Sequence, residues 1–400
     1  MKRLTSIDFW RGIAIFFTAI FHFLFTSWDK FADTGAILTG SIGFLIIAIF
    51  IFVLIHWRGF FLMISSISNF YQMESGAKNG KNIWGIFGKQ IFAGFILILV
   101  GKLWVTVFPY WGFLEIWSRQ NPIGSVPIQA LWIDHWDMFF LIEAIESIGL
   151  MMIITAFFFL GFQFFKGKSG WIIKVVLCYV IGFTIIIISP YVGQWAANSL
   201  GLTYYQFANV DGFRYYLLAP GEFHDNILTL GQFFGPFGYV MKRTALNWLA
   251  GREAPLFPML GSYFIGAGIA YVILQDKPKK KHLRWLLIPA LAALILGVLD
   301  LFFLYEYVDG ASDIYTGIDA MFANIGFHVH PRWFALVSVG LQTPLILWAF
   351  AKVEFNQKIN KERWLKWTRW IRRFGTFTLT VYFLNIFDFP LRFLMSVIVP

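Results

Sequence analysis

Nine apolar runs, most of them about twenty residues long, occupy the larger part of this 400-residue chain. They fall at about 10–28, 40–72, 83–108, 137–165, 171–192, 257–275, 285–305, 332–352 and 374–397. As a helix, such a run covers roughly 30 Å, the hydrocarbon thickness of a bilayer. In lipid, only helices and closed barrels satisfy every backbone N–H and C=O internally. Barrel strands alternate apolar and polar residues over about ten positions, and these continuous runs do not. The expected fold is an all-α polytopic membrane protein, one domain over residues 1–400, with nine spans and a large outer-face loop region at about 193–256. The run at 40–72 is too long for one upright helix, and we read it as a tilted helix broken around Trp57-Arg58-Gly59.

Charge placement sets the topology. The chain is 58% hydrophobic and only 14% charged, which excludes a soluble globular or disordered protein. Its net charge of +10 would also suit nucleic acid. With the N-terminus inside, however, the cytoplasmic segments take Lys2, Arg3, Lys78, Lys81, Lys166, Lys168, Lys277, Lys279–Lys281, Arg284, Lys352, Lys358, Lys361, Arg363, Lys366, Arg369, Arg372 and Arg373. The longer outer segments keep Lys30, Arg119, Arg214, Lys242, Arg243, Arg252 and Arg332. That is the positive-inside bias, and it accounts for the charge without nucleic acid. An extra span at 227–250 would reverse it, so 193–256 is expected to hold a re-entrant or surface-lying element. The single cysteine, Cys178, leaves no disulfide within the chain. No cleavable signal peptide is expected, because Arg11 interrupts the first apolar run.

The first run carries unusual polar residues. Arg11 and His22 lie about three helical turns apart, ~16 Å along the axis and only ~20° out of line. Asp8, Ile15 and Thr18 fall near the same stripe. Charged or titratable groups inside a span line a bundle interior or a wet cavity by default. A buried neutral imidazole can accept a proton from an attacking hydroxyl or amine; packing against a carbonyl explains His22 equally well. A guanidinium can fork onto phosphate, and Arg11 can equally pair with Asp8 one turn earlier.

Four segments bear a resemblance. The first is Arg3 to His22, with Ile7-Asp8-x-x-Arg11-Gly12-Ile13-Ala14 and the Arg11–His22 spacing. The others are 60–66 (Phe-Phe-Leu-Met-Ile-Ser-Ser), 256–266 (Leu-Phe-Pro-Met-Leu-Gly-Ser-Tyr-Phe-Ile-Gly) and 374–385 (Phe-Gly-Thr-Phe-Thr-Leu-Thr-Val-Tyr-Phe-Leu-Asn). In that order they resemble motifs of the transmembrane acyltransferase superfamily. The likeness is to its heparan-alpha-glucosaminide N-acetyltransferase branch, related to the acyltransferase-3 enzymes. Ser66 stands where that branch has Gly, and Asn385 where His is common. The resemblance implies ten or eleven spans, hence a bundle of about 9–11 and one or two helices beyond Pro400 in a longer form. It further implies His22 as the catalytic base; Arg11, near the cytoplasmic surface and oriented by Asp8, is then expected at the acyl-CoA donor, and no metal is expected. Acetyl is the first-choice acyl group. The expected partners are acyl-CoA, a glycan or lipid-linked sugar acceptor at the outer face, and membrane lipids, with a homodimer left open.

Other candidates are less specific. Glu143 and Glu146 share a helix face and can orient His22, offset Arg11, or simply be solvated. Lys89 can help bind donor phosphates or snorkel to the interface. Asp300 and Asp388 are weaker intramembrane carboxylates. Outer groups at 134–137, 222–225 and 328–330 lack the His spacing of a zinc site; with Trp132, Trp136, Tyr204, Tyr205, Tyr215 and Tyr216 they better suit a sugar or amine. A haem held by His22 and His56 is the least favoured reading. The rival function is a transporter or flippase for a polar lipid or sugar, using the same intramembrane cavity.

Overall fold

The computed structural model describes residues 4–27, 57–107, 142, 144–167, 169–200, 245–246, 248–250, 255–275, 280–303, 332–355 and 360–376. All regular structure among them is helical. In chain order the helices are α1 (Thr5–Ser27), α2 (Trp57–Lys78), α3 (Ile83–Val107), α4 (Ala144–Phe162), α5 (Gly170–Leu200) and α6 (Leu256–Ile273). Then come α7 (Lys280–Trp285), α8 (Leu287–Phe303), α9 (Arg332–Val353), α10 (Asn360–Trp367) and α11 (Arg369–Thr376). Six stretches are long and apolar enough to cross a membrane, in α3, α4, α5, α6, α7–α8 and α9. The protein is a multi-pass membrane protein.

Helix α6 is the hub. Almost every side chain from Pro258 to Ile273 is buried, and α6 packs chiefly against α5 and α2. Between apolar helices in lipid, small residues allow close backbone approach and hence dispersion contact. The pair α5–α6 crosses where Gly182 faces Gly261: a Cβ on Gly261 would stand 2.6 Å from the Gly182 carbonyl oxygen. The pair α3–α4 repeats this with Gly94 against Gly149, and α8–α9 with Gly297 against Val337 and Gly340 against Leu294. Exposed Phe92, Phe95, Leu99 and Leu103 on α3, and Ile288, Leu291 and Ile295 on α8, form the apolar exterior that lipid requires.

Chain reversals follow local chemistry. Gly80 at φ 76° closes the turn after α2, and the Asn82 side chain accepts from the Trp84 N–H at 2.9 Å to start α3. Gly167 at φ 86° serves the α4–α5 turn. Within α5, Pro190 has no N–H for the Ile186 carbonyl. The hydroxyl of Ser189 donates there instead, at 2.8 Å. Helix α6 begins through a cis Phe257–Pro258 bond.

One end of the bundle gathers the start of α1, α5 and α7 with the end of α2, α4, α6 and α9. Lys78 donates to the Leu274 carbonyl at 2.6 Å, His282 lies 5.3 Å from the Trp171 ring, and Glu354 reaches Thr5. Exposed Lys78, Lys81, Lys166, Lys281, Arg284 and Lys352 surround this end, and we call it the basic end.

Several boundaries differ from the sequence expectation. Helix α2 (Trp57–Lys78) runs past the expected end at 72, and residues 40–56, on which the anticipated break depends, lie outside the described residues. Helix α5 runs on to Leu200 rather than stopping near 192, because Ser189 repairs the carbonyl that Pro190 would orphan. The segment at 360–376, read as a basic connection, is helical, and α11 packs against α1. Most of 193–256 and 377–400 lies outside the described residues.

Candidate functional site

The site is assembled on α1. Its first turn presents N–H groups that no helical partner can satisfy. The carboxylate of Glu354, just past α9, accepts from the Ser6 N–H at 3.3 Å and from the hydroxyls of Thr5 and Ser6 at 3.1 and 3.4 Å. A negative charge there also complements the helix dipole. One turn on, Asp8 is buried, Ile15 is buried on the same stripe, and Arg11 between them is half-buried. Asp8 and Arg11 both have interaction partners. The described part of the stripe therefore faces protein. His22 belongs to α1 by its backbone, but its side chain lies outside the described residues.

Helix α11 crosses α1 at this point. A Cβ on Gly12 would run into the carbonyl oxygen of Ile371, and one on Gly375 into that of Asp8. Phe16 stacks edge-on against Trp370 at 5.6 Å, and Phe9 lies 4.8 Å from Trp364 of α10. The Arg11-Gly12 and Phe374-Gly375 elements thus touch. The other two quoted segments touch as well. Ser66 donates to the Tyr263 carbonyl, Asn69 to the Tyr263 hydroxyl at 2.7 Å, and a Cβ on Gly266 would strike the Met63 carbonyl oxygen.

Glu146 is fully buried at the start of α4, so the solvated alternative does not hold. It pairs at 3.7 Å with buried Lys102 of α3, whose ammonium also lies 5.3 Å from the Trp248 ring centre. Gly101 makes room for this carboxylate, because a Cβ there would come 2.8 Å from Glu146 Cδ. The pair lies towards the end opposite the basic end, away from Arg11. Glu143 lies outside the described residues. Lys89 is exposed on α3, whose main neighbour is α4 and not α1.

Comparison with family models, with curated proteins and with solved structures gives no match.

Sequence reasoning missed a buried polar cluster. Lys174 of α5 meets Glu74 of α2 at 2.7 Å, Gln163 donates to the second Glu74 oxygen at 3.0 Å, and the Lys174 ammonium lies 5.1 Å from the Tyr271 ring centre. Four helices meet there. The available signal was a lysine inside the apolar run at 171–192, a position that demands a partner. Lys102 carried the same signal, and an antiparallel α3–α4 pairing places it level with Glu146. Asp300, a weak candidate, is gripped by Arg332 through two hydrogen bonds, one of them 2.9 Å, tying the end of α8 to the start of α9. Among the described residues no three His, Cys, Asp or Glu cluster as a metal set would. Asp388, His56 and the outer groups at 134–137, 222–225 and 328–330 lie outside the described residues, as do Trp132, Trp136, Tyr204, Tyr205, Tyr215 and Tyr216.

Proposed function

We propose that this chain is an integral membrane acyltransferase of the cell membrane, with the N-terminus and the basic end in the cytoplasm. It moves an acyl group, acetyl in the first instance, from cytoplasmic acyl-CoA to an amine or hydroxyl of a glycan or lipid-linked sugar at the outer face. The observation that carries this reading is the pairwise meeting of the four family-like segments: the first with the last at Gly12 and Gly375, the second with the third at Ser66 and Gly266. Distant segments that resemble one family in order and also close on each other in space support a shared architecture.

In this reading Arg11 forks onto donor phosphate near the basic end, and Asp8 orients it. The pantetheine arm then runs along α1 towards His22, a reach comparable with the ~16 Å of helix between them. The acceptor nitrogen or oxygen attacks the thioester carbon, and its proton passes to the His22 imidazole. The C–S bond breaks, and the leaving thiolate takes that proton to give free CoA. Transient acyl-imidazole formation on His22 is the two-step variant.

The test is acetyl-CoA turnover by the protein in proteoliposomes, with free thiol as readout. His22→Ala is expected to abolish turnover, and Arg11→Gln to raise KM for acetyl-CoA more than it lowers kcat. Turnover surviving His22→Ala would remove the base. Substrate counterflow without thiol release would replace the enzyme with the transporter.

A further inference from the structure

We propose that α10 and α11 form a docking surface for the headgroups of anionic membrane lipids. Residues 360–376 hold Lys361, Arg363, Lys366, Arg369, Arg372 and Arg373 against a single acid, Glu362. The two helices act nearly as one rod, because Thr368 N–H bonds the Trp364 carbonyl and Arg372 N–H bonds the Thr368 carbonyl, each at 3.0 Å. At ~100° per residue this rod has three sides. Trp364, Ile371 and Gly375 turn to α1, against Phe9 and Gly12. Trp367, Trp370 and Phe374 form a second side, with Phe16 of α1 against the edge made by Trp370 and Phe374, and with Trp367 72% and Trp370 50% exposed. Arg363, Lys366, Arg369 and Arg373 are all exposed; Lys366, Arg369 and Arg373 occupy a third side, within about 60° of arc, and Arg363 falls between Trp370 and Phe374 on the second. Arg372 is not part of it, since it donates to the Leu365 carbonyl and the Thr368 hydroxyl.

The occupant follows from this arrangement. Exposed indole rings beside a cationic stripe suit the bilayer interface, where rings enter the acyl boundary and cations meet phosphate. An acidic soluble protein or a nucleic acid would leave the Trp side uncovered. Position agrees: α10 begins seven residues after Val353 ends a membrane-spanning helix, a tether of at most ~25 Å at full extension. Contact with α1 then holds the rod beside the bundle.

The experiment uses the full chain in micelles supplied with equal phosphatidylglycerol and phosphatidylcholine, the retained lipid being counted by native mass spectrometry. The wild type is expected to retain phosphatidylglycerol preferentially and to lose that preference as salt rises from about 0.1 to 0.5 M. R363Q/K366Q/R369Q/R373Q should cut the preference roughly tenfold, while R363K/R369K/R373K keeps it. Neutralising Lys166, Lys281, Arg284 and Lys352 instead should cut it less. Equal retention of both lipids by the wild type would overturn the proposal. So would a greater loss in the Lys166-group variant than in the α10–α11 variant, or displacement of phosphatidylglycerol by millimolar inorganic phosphate.

Discussion

Glu74 and Lys174, a hundred residues apart in sequence, meet 2.7 Å apart in the interior and join α2 to α5. Gln163 closes the remaining carboxylate oxygen, so the charge on Glu74 is both paired and hydrogen-bonded. Removing one partner leaves the other charge buried alone, which costs about 3–5 kcal/mol. Lys174→Met is therefore expected to lower the melting point in detergent sharply. Glu74→Leu with Lys174→Met should recover much of the loss, and a double-mutant cycle on thermal unfolding checks the sign.

Ser189 and Pro190 make a second, sharper case. The Ser189 hydroxyl supplies the hydrogen bond that Pro190 cannot make to the Ile186 carbonyl. Ser189→Ala leaves that carbonyl unsatisfied inside the span, at about 1–3 kcal/mol. With Pro190→Ala in the background the amide returns, and Ser189→Ala should become nearly neutral. Unfolding measurements on the four proteins decide it.

Glu354 holds the first turn of α1 through three hydrogen bonds. Glu354→Ala is expected to cost about 1–2 kcal/mol, combining a lost cap with a lost charge at the helix N-terminus. Glu354→Gln should cost less, because an amide oxygen still accepts. Hydrogen exchange of the Ser6 amide separates the two, rising more in Glu354→Ala.

The α3–α4 pair depends on Gly94 and Gly149, where a Cβ on Gly149 would lie 2.5 Å from the Gly94 carbonyl oxygen. Gly149→Leu must push the helices apart and strain the Lys102–Glu146 pair beside it. A loss of at least about 1–3 kcal/mol is expected, and a cysteine cross-link engineered between α3 and α4 should form more slowly in the variant.

Much of the bundle was legible because lipid leaves the backbone few options. Runs of about twenty apolar residues had to be helices, and α3, α6, α8 and α9 fall within a few residues of the expected bounds. The Asp8–Ile15 stripe turned inward for the reason that made it conspicuous: charge in a span seeks protein. What stayed hidden were the partners. Glu74 sits in a polar helix end that reads as interface, and only the packing of α2 against α6, set by Gly266 and Ser66, carries it to Lys174. Likewise α11 looks like a basic connection until Gly12 and Gly375 let it lie on α1.

That last contact has a consequence for biogenesis. Thr5 waits for Glu354, 349 positions later, and Gly12 for a helix that starts at Arg369. At roughly 5–20 residues per second of synthesis, α1 emerges tens of seconds before either partner exists. Until then a chaperone, a translocon wall or lipid headgroups must shelter Asp8 and Arg11, and the bundle closes only when its late helices come home to its earliest one.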